Sequence, residues 1–132
     1  MKVADIMSKS VVTLSPDETL AQAADTLASL GVSGAPVCDE GERVIGVFSK
    51  SDLVARIVEG RLDPQAKVGD HMTNVTFQLA PDDDVRRAID LMADKSIHRV
   101  LVLDGDRHVL GIVSPLDVLR AIREGRLRLE NA

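Results

Sequence analysis

Apolar and polar positions along the chain switch between a strand-like and a helix-like period, and the whole series runs twice. Residues 3–8 carry an apolar pattern that fits one short turn of helix. Residues 11–14, rich in β-branched side chains, predict a strand. Pro16-Asp17-Glu18 opens a helix, because acids favour its positive end, and Leu20, Ala23, Ala24, Leu27 and Leu30 recur along its apolar face. Gly31 is placed to stop it. Residues 35–38 predict a second strand, 39–43 a polar hairpin turn and 44–48 a third strand. Ser49 then caps a helix that runs to Glu59. The order returns with strands near 76–79, 100–103 and 109–113, and with helices near 83–95 and 115–124. Residues 126–132 form a tail expected to fray.

The second series is a copy of the first. Residues 3–60 align with 68–125 at a constant offset of 65, without a gap. Val3-Ala4-Asp5-Ile6-Met7 matches Val68-Gly69-Asp70-His71-Met72, and Leu14-Ser15-Pro16-Asp17 matches Leu79-Ala80-Pro81-Asp82. Near its end, Ile57-Val58-Glu59-Gly60 matches Ile122-Arg123-Glu124-Gly125. This register sets the expected organisation: a first repeat over 1–62, a linker over 63–67, a second repeat over 68–125, then the tail. Neither copy is large enough to bury a good core alone, so the two are expected to pack as one α/β unit of tandem β-α-β-β-α repeats.

The corner between last strand and last helix is the most informative stretch. It reads Gly46-Val47-Phe48-Ser49-Lys50-Ser51-Asp52 in one copy and Gly111-Ile112-Val113-Ser114-Pro115-Leu116-Asp117 in the other. Ser-x-x-Asp is a capping-box variant with an acid in the usual Glu or Gln place. A strand ending at a helix N-terminus leaves N–H groups free, which suits anions and sugars. Two roles are open to Asp52 and Asp117. They cap their own helices, or they accept hydrogen bonds from both hydroxyls of a cis-diol. A carboxylate has two oxygens, so the roles are compatible.

Composition narrows the classes. Of the 132 residues 45% are apolar, as in a globular chain, and the net charge of −5 argues against nucleic-acid binding, which needs a basic face. The single cysteine, Cys38, permits no internal disulfide and points to a reducing compartment. Asp5 interrupts any signal-peptide pattern, and no apolar run approaches the roughly 20 residues of a membrane span. The expectation is a cytoplasmic protein that neither crosses nor binds a membrane. Trp and Tyr are absent, so a planar ligand would rest mostly on aliphatic side chains and backbone.

The tandem unit with Gly-h-h-Ser-x-x-Asp at its last corner, h being apolar, resembles a pair of CBS (cystathionine-β-synthase) domains, the Bateman module. Asp5-Ile6-Met7, Ser15-Pro16-Asp17, Val32-Ser33-Gly34-Ala35-Pro36-Val37, residues 46–52 and their counterparts, including His98-Arg99-Val100-Leu101-Val102, carry the resemblance over nearly the whole chain. It implies two sheets about a pseudo-two-fold axis, with two clefts between the copies that take AMP, ADP, ATP or S-adenosylmethionine. It also implies a stand-alone regulatory homodimer without an attached effector domain. The module would act on a partner such as an enzyme or transporter; it would not be an enzyme and would require no cofactor. By the same resemblance, Ser49, Lys50 and Asp52 share one cleft with Ile97, His98 and Arg99. Ser114 and Asp117 share the other with Val32, Ser33, Gly34 and Ser10. The alternative is an adaptor that oligomerises and whose clefts are empty.

The clefts so assigned are unequal. Lys50, His98 and Arg99 bring positive charge to the first, whereas Pro115, standing where the first has Lys50, removes a charge and an N–H from the second. Phosphate is therefore expected at the first cleft. The other role for Arg99 is a surface ion pair with an acid such as Asp94, worth little. Asp82-Asp83-Asp84 reads as a helix start rather than a metal site, and His71, His98 and His108 lack ligand spacing. Cys38 is expected as a buried, inert thiol. Arg120, Arg123, Arg126 and Arg128 suit a helix C-terminus. Apolar residues on more than one side of the last helix of each copy (Leu53, Val54, Ile57, Val58; Leu116, Val118, Leu119, Ile122) predict a helical face covered by a second copy.

Overall fold

A computed structural model describes residues 1–75 and 77–128. Thr76, the expected start of a strand, and residues 129–132 of the expected tail lie outside the described residues. The elements are α1 (Leu20–Leu30), β1 (Gly34–Cys38), β2 (Val44–Ser49), α2 (Lys50–Val58), β3 (Gln78–Leu79), α3 (Val85–Lys95), β4 (Val100–Leu103), β5 (Val109–Val113) and α4 (Pro115–Arg123). Single 3-10 turns stand at Val3–Asp5 and Val68–Asp70. No helix among the described residues is long and apolar enough to cross a membrane.

The chain separates into two compact units whose limits cut across the repeat. Residues 12–75 form a contiguous unit; residues 1–11 and 76–132 form a split unit. In the contiguous unit β1 and β2 pair antiparallel, with a bulge after Val37, and Leu14, Leu20, Ala23, Leu27, Ala35, Val37, Phe48 and Val68 make the core. In the split unit β3 pairs parallel with β4, and β4 antiparallel with β5. Val3, Ile6, Leu79, Val85, Ala88, Met92, Val100, Val102, Val113 and Ala121 make its core.

Each 3-10 turn thus packs with the strands of the other repeat. Val3 and Val68 are both fully buried, and burying each side chain contributes about 1.5–3 kcal/mol. The same hydrogen bonds dock both turns. Val3 and Ala4 N–H donate to the carbonyls of Asp83 and Pro81 at 2.8 and 3.0 Å. Val68 and Gly69 N–H donate to Glu18 and Pro16, both at 2.9 Å. Beyond the turns, Ser8 bridges Ile112 and Thr73 bridges Val47. The motif glycines permit this approach. A Cβ on Gly46 would lie 2.7 Å from Met72 Sδ and 2.9 Å from the Thr73 carbonyl; on Gly111 it would lie 2.7 Å from both Met7 Sδ and the Ser8 carbonyl.

Four expectations are corrected. Residues 11–14 form no strand: only Leu14 pairs, in one parallel bridge to Val37, because this stretch is the connection between the units. Residues 16–18 do not open α1, since the Pro16 and Glu18 carbonyls hold the incoming turn. The helix starts at Leu20 behind Thr19, whose hydroxyl accepts from Gln22 N–H at 3.1 Å while Gln22 Oε1 accepts from Thr19 N–H at 2.9 Å. Asp84, not Asp83, likewise caps α3. Leu30, expected on the apolar face, is 56% exposed: the last turn of α1 outruns the core, which ends at Leu27.

Candidate site at the strand-to-helix corners

Both corners fold alike. Ser49 and Ser114 are extended residues at helix N-caps, with φ/ψ of −134/168° and −127/165°. Ser49 N–H donates to Asp52 Oδ2 at 2.8 Å, and its hydroxyl donates to the same oxygen at 3.2 Å. Ser114 does the same to Asp117 Oδ2 at 2.8 and 3.0 Å, and its Oγ accepts from Asp117 N–H at 3.4 Å. Each acid caps with one oxygen only. The Oδ1 atoms of Asp52 and Asp117 carry no hydrogen bond among the described residues, and neither is sealed from solvent. Asp117 is the more enclosed acid, at 9% exposure, against a half-buried Asp52.

The twelve candidate residues divide evenly between the units. In the contiguous unit, Gly34 pairs with Ser49, and Lys50 N–H donates to the Ser33 carbonyl at 2.9 Å. The Lys50 side chain is exposed, and Val32 packs against the core. In the split unit, Ile97 packs against the core while His98 and Arg99 are exposed between α3 and β4. Arg99 has no ion-pair partner among the described residues, so its alternative role in a surface pair, as with Asp94, is not realised. Ser10 is exposed in the connecting stretch. Pro115 has no N–H, so the bond that ties Lys50 to Ser33 has no counterpart here. Instead a cavity of about 330 Å³ opens between α3 and α4, with Met92, Ile97, His98, Pro115 and Leu119 among its walls.

The local electrostatics differ too. The contiguous unit holds ten acids and five bases, the split unit eleven of each. A hollow of about 560 Å³ in the contiguous unit is walled by Asp17, Glu18, Asp39, Glu40 and Glu42, which disfavours anions. Cys38 borders it. It is half-buried rather than in the core, because the bulge after Val37 shifts the strand end, and partial burial, then Asp39 and Glu42, raise its thiol pKa. Asp82, Asp83 and Asp84 are engaged at the start of α3: Asp83 accepts from Ala80 N–H, Asp84 from Arg86 N–H, and Asp82 pairs with Lys2 at 3.3 Å. No cluster of three metal-ligating side chains occurs among the described residues.

The CBS domain pattern matches twice, over residues 3–59 and 68–124. The chain belongs to the CBS domain family. Inosine-5′-monophosphate dehydrogenase of Methanocaldococcus jannaschii is 29% identical over 119 residues, which are 90% of this chain and 23% of that enzyme. The first curated relatives are longer than this chain, which spans between 23% and 62% of their lengths. Solved structures share the fold, two of them with an adenosine compound bound. CBSX2 in complex with AMP superposes with a TM-score of 0.82 at 24% identity, covering 96% of this chain and 98% of that one. The CBS domain pair of protein MJ0100, in complex with 5′-methylthioadenosine and S-adenosyl-L-methionine, gives 0.78 at 24% identity, covering 95% and 98%.

One polar pair in these CBS repeats escapes a motif reading. Arg56 of α2 donates through Nη1 to His71 Nδ1 at 3.4 Å and through Nη2 to Glu59 at 3.1 Å, while its Nε is buried without a partner. A guanidinium only donates, so His71 accepts. The repeat offset holds the signal: the equivalent positions are Ala121 and Ile6, both in the core of the split unit.

Proposed function

We propose that this CBS pair is a regulatory module that binds an adenosine ligand and passes its occupancy to a separate partner, an enzyme or transporter. The observation that carries the reading is the matched pair of carboxylates. Asp52 and Asp117 each spend one oxygen on the corner and leave the other open, which suits a ribose diol. Adenosine is the part shared by AMP in CBSX2 and by the two ligands of MJ0100. Lys50, His98 and Arg99 are the proposed phosphate-binding cations; Ser10, Val32, Ser33, Gly34, Ser49, Ile97 and Ser114 are proposed as the remaining contacts. A second copy covers the exposed apolar residues of α2 and α4.

Calorimetric titration with AMP, ATP and S-adenosylmethionine tests the reading. Asp52→Ala and Asp117→Ala are each expected to weaken one site by about 1.5–3 kcal/mol, or roughly ten- to a hundredfold, with the fold retained. Arg99→Ala is expected to weaken AMP and ATP but not adenosine, and more so at low salt. A parent protein that binds none of these, or acid variants that bind as well as it does, would overturn the proposal in favour of a ligand-free adaptor.

A further inference from the structure

We infer that the contiguous unit carries a proton-sensitive latch on α2, made by Arg56 and His71, which the split unit lacks. Arg56 stands in the last turn of α2, and His71 follows the 3-10 turn Val68–Asp70. The bond of 3.4 Å from Arg56 Nη1 to His71 Nδ1 ties helix to turn. A guanidinium only donates, so this bond exists only while Nδ1 is bare and the ring is neutral. A second proton would fill Nδ1, cancel the bond and set two cations side by side. Arg56 is already short of acceptors. Its Nε is sealed from solvent without a partner, and Glu59, 3.1 Å from Nη2, is its one other side-chain partner among the described residues.

The charges around the joint do not reverse the sign. On α2, Glu59 is engaged by Arg56 itself, and Lys50 and Asp52 stand at the far end of the helix. Arg61, just past α2, is exposed and of like charge. Beside His71, Asp70 is exposed and screened by water, and Lys67 pairs with Asp17 at 3.9 Å. In the segment that receives the turn, Glu18 accepts from Ser15 N–H at 3.0 Å. α1 carries only Asp25, which is exposed, and β2 carries no titratable side chain. Histidine changes charge between pH 8 and pH 5, whereas carboxylates, lysine and arginine do not. The latch is therefore complete at pH 8 and is lost as pH falls through the ordinary histidine range. In the split unit the same positions hold Ala121 and Ile6, which have no proton to take. Its His108 faces Asp104 at 3.1 Å, a bond that protonation strengthens. Since α2 begins at the Ser49–Asp52 corner, acid loosens the helix behind one corner and spares the other.

Amide hydrogen exchange on the full chain, with each rate divided by its intrinsic rate, reads both helices at once. Between pH 8 and pH 5 the protection of α2 is expected to fall about three- to tenfold relative to that of α4. A constant ratio would overturn the inference. His71→Gln keeps an acceptor at every pH and has no proton to gain, so its ratio is expected to stay level. A fall as large as the parent's would assign the acid response to another group, and the latch fails. Arg56→Ala with His71→Ile removes both members and serves where His71→Gln does not fold. It too must level the ratio; if α2 still loses protection on acidification, the latch is not its cause.

Discussion

The contiguous and split units repeat one backbone plan and solve one packing problem in opposite ways. Where the incoming 3-10 turn meets the last helix, the split unit buries Ile6 and Ala121 at 6% and 0% exposure. The contiguous unit puts His71 and Arg56 at the same positions, joined by a long hydrogen bond, with Arg56 Nε left unpartnered. The carbonyls and N–H groups that dock the two turns are nonetheless equivalent, residue for residue. The backbone contacts therefore specify the exchange of segments, and side chains at the joint are free to diverge. An apolar joint gains from burial alone; a polar one is tied by direction and carries a desolvation cost.

Transplanting the polar pair is the hardest test of that contrast. Ile6→His with Ala121→Arg should destabilise the protein by about 3–5 kcal/mol, because a large cation enters a sealed apolar site. The reverse change, Arg56→Ala with His71→Ile, should leave stability within about 1 kcal/mol of the parent, on the stable side. Urea unfolding measures both, and equal costs in the two units would break the comparison. Next in size, Gly111→Ala and Gly46→Ala should each cost about 1–3 kcal/mol through overpacking. Gly111 should cost more, since its added methyl meets a backbone carbonyl at 2.7 Å rather than 2.9 Å.

A smaller effect is expected where the first helices of the two repeats end. Gly31 closes α1 at φ 65°, whereas Ser96 closes α3 at φ 53°. Ser96→Gly should stabilise by roughly 1 kcal/mol, and Gly31→Ser should cost as much, because a Cβ disfavours the left-handed region. The smallest effect concerns pH. Asp104 accepts from His108 N–H at 2.9 Å, from Asp106 N–H at 2.8 Å and from the His108 ring. These bonds, His108 N–H first, hold its carboxyl below the usual range. A lowered carboxylate pKa supports the fold at neutral pH and loses that support as pH falls through the folded value. Thermal midpoints of Asp104→Asn and parent should converge on acidification; a constant gap would remove Asp104 from the acid response.

Much of this was readable from the chain. The offset of 65 gave two equivalent corners, and Ser-x-x-Asp at each proved to be a cap with a spare oxygen. The start of α1 is marked in the sequence by the capping box Thr19-x-x-Gln22, and the acids after Pro16, which also suit a helix start, belong instead to the segment that holds the incoming turn. The exchange of 3-10 turns was not legible. Periodicity reports which residues want burial, not which strands bury them, and Val3 looks alike whichever repeat it joins. In the sequence Gly46 and Gly111 stand only as parts of a corner motif, yet their physical duty is room for Met72 and Met7. A close approach between distant segments leaves no local pattern.

The exchanged segment also orders events during synthesis. Residues 12–75 contain all the partners the contiguous unit needs, so its core can close while later residues are still being added. The split unit joins Val3 and Ser8 to Leu79, Val100 and Ile112. Its opening stretch must wait, unpaired, for more than a hundred further residues. Long loop closure is slow because its entropy is spent before contacts repay it. Residues 3–8 thus form the last seam of the fold, although they are made before every strand they join.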